Sequence, residues 1–567
     1  MRTIISTGLR FNAPVTDMTT DCCGLGGKYP WKDCVILGIS GFECKFFGEI
    51  LFRFDFERPK LTYEQDAGSK HLLMEFFMKI SLLASAMTLA LLNVGSAMAC
   101  TTILVGNQAS DDGSFIIARN EDYSATNAKH MVIHPAEHNQ HSVFKSHSNG
   151  FTWPLPKELM RYTAIHDFDT QNKSMGEAGF NSVGVGMSST ETIYNGQAAL
   201  SADPYVEKTG ITEDAIQTVI LPAVKSAREG VALLGKIIEQ KGAGEGFGVA
   251  FIDKKEVWYL ETGSGHQWLA IRLPTDKYFV SANQGRLRLY DPHDKENYMA
   301  SPMLVTFAEK HGLYNPKDGV FDFHKAYSQD VNNDVTYNYP RVWALQHMFN
   351  PQLNTSVKDG QTFPVLLTPA RKISIADVKK ALRNHYQGTI HDPYVNNNPR
   401  EPWRPVSVFR TQESHILQIR PQLPQAIGEV EYVAYGMSDL GVYVPYYQGI
   451  SHYLPGYDKG SDQADGESVN WKFRTLQTLV MQDYNTYAPD VQRAYLAFEQ
   501  QTSLHQRIME NEYLKLYKSQ PQEAQQLLQN FENKTMQDAL SLTERLTKQV
   551  VTKMTHVTDM KYHFEGA

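Results

Sequence analysis

Hydrophobic and polar positions change rhythm several times along this 567-residue chain. Residues 101–105, Thr-Thr-Ile-Leu-Val, are β-branched and apolar, and the apolar run Phe115-Ile-Ile-Ala118 leads into Arg119-Asn-Glu-Asp122. Both segments predict buried strands, and Ser110-Asp-Asp-Gly113 supplies the turn chemistry for a hairpin between them. Further strands are expected at 131–134, 183–190, 247–252, 256–261, 266–272 and 277–281, with tight turns at Lys254-Lys255 and Ser264-Gly265. Between 212 and 240 the period lengthens. Ile216, Val219, Ile220, Ala223, Val224, Ala227, Val231, Leu234 and Ile238 recur at three- and four-residue steps, which predicts amphipathic helix. Pro222 and Gly230 mark either a kink or two helices in succession. From about 467 the chain reads as polar helix with Gln-rich runs such as 520–529, the pattern of a packed helical appendage. The aromatic run Tyr443-Val-Pro-Tyr-Tyr447 suits a pocket lining, core packing or a Pro-containing edge strand. Strands and helices that do not strictly alternate argue for the α+β class.

A different pattern stands before the first strand. Met78-Lys79 opens an apolar stretch, Ile80–Val94, that ends in Gly95-Ser-Ala-Met-Ala99. A basic start, an apolar core and small residues at an Ala97-x-Ala99 site are the three parts of a secretory signal. The stretch is too short to read well as a membrane span. We therefore expect residues 78–99 to be a signal peptide, and residues 1–77 to come from an over-extended reading frame with Met78 as the true start. The protein is then exported, to the periplasm or the exterior, with no integral membrane span after signal removal. A main domain at 100–466 and a helical region at 467–567 packed on it would make up the mature chain.

Composition narrows the chemistry. A formal net charge of −8 with scattered Lys and Arg gives no electrostatic reason to expect nucleic acid as a partner. Of the five cysteines, Cys22, Cys23, Cys34 and Cys44 lie in the first 50 residues, and Cys100 is the last. A disulfide or thiolate metal cluster within 100–567 is thereby excluded. Neither His-Glu-x-x-His nor Gly-x-Ser-x-Gly occurs, and His293 and His391 sit in Asp/Pro loops that read as solvated turns. No metal and no organic cofactor is implied.

Cleavage after Ala99 would leave Cys100 as the first residue, and an N-terminal cysteine carries its own base. A free α-amino group has a reference pKa of about 7.7–8, so part of it is neutral at physiological pH and can take the thiol proton. Lipidation is the other explanation for a cysteine there, in a lipid-anchored binding protein. Lipoproteins, however, usually continue into a polar tether, whereas this chain enters a strand at once. If β-strands 101–105 and 115–119 pair, Arg119 falls close to Cys100, where a cation favours thiolate.

Cys100-Thr-Thr-Ile103 after a signal, Asp112-Gly-Ser114 and Arg119-Asn-Glu-Asp122 together resemble the bacterial dipeptidase A family of cysteine peptidases. That family is related to the secernins and, more distantly, to penicillin V acylase and bile salt hydrolase. Gly179-Phe-Asn181, Ser188-Ser-Thr-Glu191, Glu256–Glu261, Gly265-His-Gln-Trp268, Ser281-Ala-Asn-Gln284, Arg341-Val-Trp343, Trp403-Arg-Pro405 and Tyr443–Gly449 extend the match to about residue 500. The resemblance implies a four-layer αββα sandwich of the N-terminal-nucleophile hydrolase type. It also implies hydrolysis of small peptides, with Cys100 as nucleophile and base, supported by Arg119 and Asp122. Asn283 would donate to the oxyanion, and Arg341 and Glu191 would bind substrate, Glu191 through a substrate amine. An N-acyl amide hydrolase with the same nucleophile is the alternative activity.

Overall fold

The structure, a computed structural model, describes residues 100–138, 142–168, 175–395 and 403–564. The expectations for residues 1–77 and for the signal at 78–99 lie outside the described residues.

Strands β1 (Thr101–Val105) and β2 (Phe115–Asp122) form the expected hairpin, with Thr102 opposite Arg119. Both are buried along their whole length, which suits the β-branched and apolar residues of β1 and of the first half of β2. After β3 (Ala178–Phe180) and β4 (Gly186–Thr192) come β5 (Phe247–Ile252), β6 (Val257–Thr262) and β7 (Trp268–Arg272). Strands β8 (Tyr278–Ser281), β9 (Tyr298–Ala300), β10 (Leu366–Leu367), β11 (Thr411–Ile419), β12 (Glu429–Tyr435) and β13 (Val444–Tyr447) follow. Two antiparallel sheets result. One has seven strands in the order β10-β8-β1-β2-β11-β12-β13, and the other six in the order β9-β7-β6-β5-β4-β3. The strands expected between 247 and 281 appear within two residues of their predicted ends. A separate two-stranded ribbon pairs Lys129–His134 with Tyr162–Asp167.

Three apolar clusters fix these parts. Leu104, Ile117 and Leu417 of the larger sheet share one cluster with Phe180, Ala250, Tyr259 and Leu269 of the smaller. The smaller sheet's other residues, including Val249, Phe251 and Trp258, pack with helices α1 (Glu213–Ile220) and α2 (Ala227–Lys241). The larger sheet's Ile103, Ala118 and Ile416 share a cluster with α3 (Tyr339–Phe349), α4 (Ile375–Leu382) and the C-terminal helices.

The 212–240 region is two helices, and Pro222 sits in the 3₁₀ turn Leu221–Ala223 that separates them. Gly230 is not a break. It lies inside α2, where a Cβ would come within 2.5 Å of Phe251, and one on Gly235 would come within 2.2 Å of Trp268. The two glycines let the helix settle close against the sheet. Gly235→Ala should therefore lower stability by about 1–3 kcal/mol through overpacking against the indole. An unchanged urea midpoint would show that the helix has room to move away.

From Val469 the chain is helical as expected, in α5 (Val469–Val480), α6 (Tyr484–Leu516) and α7 (Pro521–Lys561). Buried carboxylates dock it. Glu499 accepts from Arg383 at 2.5 Å and from the Tyr443 amide at 2.7 Å, and Glu510 pairs with Arg420 at 2.7 Å. Strand β13 is the Pro-containing edge strand, with buried Tyr446 and Tyr447 in the core rather than in a pocket wall. Its Tyr447 amide donates to Glu532 of α7 at 2.7 Å, so a side chain occupies a position where a further strand would pair. None of the described helices is long and apolar enough to cross a membrane.

Candidate active site

Side chains alternate across a strand, so β1, β2 and β11 present every second residue to the smaller sheet. Along that face the apolar row Leu104, Ile117, Leu417 gives way to Thr102, Arg119, His415, and then to Cys100, Glu121, Glu413. A continuous hydrophobic interface thus turns polar over four residues, and every group in it is enclosed.

Cys100 is 1% exposed. Arg119 Nη1 donates to its sulfur at 3.3 Å, and the thiol points to Glu121 Oε2 at 3.6 Å. The guanidinium is held from every side: by Glu121 at 2.5 Å, by Glu177 at 2.7 Å, by Ser188 Oγ on Nε at 3.1 Å, and by the Ser189 carbonyl. Behind it Lys129 bonds Asp167 at 2.5 Å and lies 3.5 Å from Glu177. Glu121, Glu177 and Glu213 bring carboxylate oxygens within 4.8 Å of one another. Arg119 and Lys129 already supply cations to two of these three.

Electrostatics keep the sulfur protonated in this form. Burial pushes the Cys100 thiol well above its ordinary range, the Glu121 charge adds to the rise, and Arg119 opposes both. Burial also pushes Glu121 far up, against the pull of Arg119. Here the α-nitrogen of Cys100 is part of the peptide chain, so no ammonium offsets the carboxylates.

On the other side of Cys100 a second cluster holds the backbone. Arg341 Nη1 donates to the Cys100 carbonyl at 2.5 Å and to Thr101 Oγ1 at 2.9 Å. Its Nη2 reaches Asn283 Oδ1 at 2.8 Å and Asn338 Oδ1 at 2.6 Å. Because guanidinium only donates, Arg341 fixes the Asn283 amide with oxygen toward itself and NH₂ away, where Nδ2 bonds the Thr192 carbonyl at 3.1 Å. Burial lowers Arg341 to about 10, so it stays charged at neutral pH.

Glu191 comes from a bulged part of β4 and is buried at 1%. Thr102 Oγ1 donates to its Oε2 at 2.5 Å, while Oε1 has no partner. Burial raises it to about 7, with Thr102, Arg341 and Arg119 pulling the other way. Asp122 follows the alternation to the opposite face of β2, where it accepts from Arg404 and Thr411. Its charge still reaches Cys100, as a weak influence against thiolate.

The structure thus brings Cys100, Arg119, Asn283, Arg341 and Glu191 together around one strand end and turns Asp122 away from the sulfur. His293 is exposed in its turn, whereas His391 stacks on Trp403 with ring centroids 3.3 Å apart. Sequence reading assigned no role to Glu121, Glu177, Ser188, Glu413 or His415. Glu121 was legible, since alternation places it on the Arg119 face. So was the stretch Glu413-Ser-His-Ile-Leu417, whose alternate residues share the face of Leu417.

The profile of peptidase family C69 matches residues 99–496. The chain is 73% identical over 375 residues to a probable dipeptidase of Salmonella dublin, covering 66% of this chain and 87% of that one. It is 36% identical over 392 residues to a probable dipeptidase of Latilactobacillus sakei, covering 69% and 82%. Among solved structures, penicillin V acylase from Agrobacterium tumefaciens aligns at 10% identity over 62% of this chain and 86% of its own, with a TM-score of 0.28.

Proposed function

This chain belongs to peptidase family C69, and on that premise we propose that it is an exported cysteine dipeptidase whose nucleophile is Cys100, the first residue of its mature form. The two facing sheets and their outer helices we read as the four-layer αββα sandwich of N-terminal-nucleophile hydrolases. The observation that carries the reading is the Cys100 sulfur at the head of β1, 3.3 Å from a guanidinium that four neighbours hold in place. A cysteine only 1% exposed supports a catalytic role over a lipid anchor, whose acyl chain must leave the protein surface.

Removal of the segment before Cys100 frees its α-amine, which takes the thiol proton while Arg119 stabilises the thiolate. Sulfur attacks the scissile carbonyl, and Asn283 Nδ2 turns from the Thr192 carbonyl to the developing oxyanion. The C–N bond breaks, the α-ammonium returns its proton to the departing amine, and an acyl-enzyme remains. Water, deprotonated by the same amine, hydrolyses the thioester and restores the thiol. Arg341 holds the Cys100 carbonyl and the Asn283 amide in register throughout.

In this reading Glu191 receives the protonated amino terminus of the peptide, and its unpartnered oxygen is the site of that contact. A carboxyl near pKa 7 must ionise to bind a cation. KM for dipeptides should then fall as pH rises through about 7, and Glu191→Gln should raise KM and remove that dependence. Comparing free dipeptides with N-acyl amides lacking the amine tests the substrate class. Faster turnover of the N-acyl amides, or a Glu191→Gln enzyme with the parent pH profile, would overturn the assignment.

A further inference from the structure

We infer that His415, acting through Ser188, is a positioning residue that aims the Arg119 guanidinium at the Cys100 sulfur; the inference rests on the reading of Cys100 as nucleophile. Ser188 Oγ stands between the two, 3.1 Å from Arg119 Nε and 2.8 Å from His415 Nε2. His415 Nδ1 in turn lies 2.8 Å from Glu413 Oε1. His415 and Glu413 are wholly enclosed and Ser188 is 3% exposed, so the chain of bonds is shielded from bulk solvent.

The direction of each bond follows from what the groups can donate. Arginine has no acceptor, so Ser188 must accept from Arg119 Nε. Its one hydroxyl hydrogen then goes to His415 Nε2, which has to be the bare nitrogen of a neutral imidazole. The ring's hydrogen therefore sits on Nδ1 and is donated to Glu413. Only this arrangement pairs every hydrogen. A doubly protonated ring would donate to Ser188 as well, leaving the serine hydroxyl hydrogen buried without an acceptor. Glu413 also acts on Arg119 directly, its charge favouring the guanidinium.

Position in the sheet gives the relay its purpose. His415 and Arg119 are cross-strand partners on one row, and Ser188 comes from the smaller sheet. The serine therefore fixes the guanidinium in the direction between sheets, which the ladder of the larger sheet does not control. Glu121 and Glu177 neutralise Arg119 but could do so with the planar group rotated. The Ser188 bond to Nε, together with the Ser189 carbonyl on Nη2, removes that freedom and leaves Nη1 facing the sulfur.

Alkylation of Cys100 by iodoacetamide in the mature chain, followed against pH, reads this placement without relying on dipeptide hydrolysis. His415→Leu and Ser188→Ala should each raise the midpoint of the alkylation profile by about one pH unit. Each should also lower kcat by up to about 10²-fold, with KM little changed. His415→Gln, which keeps an acceptor for Ser188, should restore most of both. The double variant Ser188→Ala/His415→Leu should be no worse than either single one, since both act through one hydroxyl. Losses that add, or a profile unchanged in a folded Ser188→Ala protein, would overturn the inference. Ser188→Ala deletes a single oxygen and carries the test alone if His415→Leu does not fold. Failure of the nucleophile reading looks different: dipeptide hydrolysis would survive Cys100→Ala, whatever the alkylation profile does.

Discussion

Cys100→Ala is expected to eliminate dipeptide hydrolysis and to leave the fold in place. In the proposed mechanism no acyl-enzyme forms without sulfur, and removing a nucleophile that works together with its base costs on the order of 10⁶-fold in kcat. The fold should tolerate the change because the cation beside the sulfur does not depend on it. Arg119 keeps Glu121, Glu177 and Ser188 as partners, so no buried charge is left alone. Only one small polarisable atom is lost from a buried position, which costs about 1 kcal/mol. Thermal melting by circular dichroism should be nearly unchanged while product release falls to background. Retained activity in that folded variant would refute Cys100 as nucleophile.

The second large effect concerns the residue before Cys100. A chain with Met fixed in front of Cys100 should lose roughly 10²–10⁴ in kcat, the range of a missing general base. The amide nitrogen that replaces the amine cannot take a proton, and the surroundings then work against ionisation. Burial and Glu121 hold the thiol well above its ordinary range, with Arg119 alone among the named charges opposing them. An α-ammonium on residue 100 would place a second cation beside Glu121 and reverse that balance. Intact mass and N-terminal sequencing of the protein, paired with kcat, make the comparison. Full activity in a chain proven to retain the extra residue would mean that another group is the base.

What sequence disclosed here was mostly local. The β1–β2 hairpin followed from two apolar runs and one turn, and with it the approach of Arg119 to Cys100. The two helices of 213–241 followed from their period, though Gly230 turned out to serve close packing, not a bend. The long-range partners were harder. β11, which supplies His415 and Glu413, lies some three hundred residues beyond Cys100, and nothing in its pattern says which strand it will join. Its alternation was nonetheless readable, as was the fact that Asp122 must face away from Arg119, three residues back on the same strand. Glu191 is a different case. The bulge between Ser189 and Glu191 shifts the register, so simple alternation misplaces its side chain.

The side-chain cover over β13 bears on where this chain can be shortened. The family match stops at residue 496, but the helix whose Glu532 meets Tyr447 begins only at Pro521. A protein trimmed to the matched region would keep Cys100, Arg119 and Asn283 and bare the rim of the larger sheet. Exposed backbone there is a template for a strand from a neighbouring molecule. Such a truncated enzyme should self-associate in solution, with losses that grow with concentration rather than with substrate.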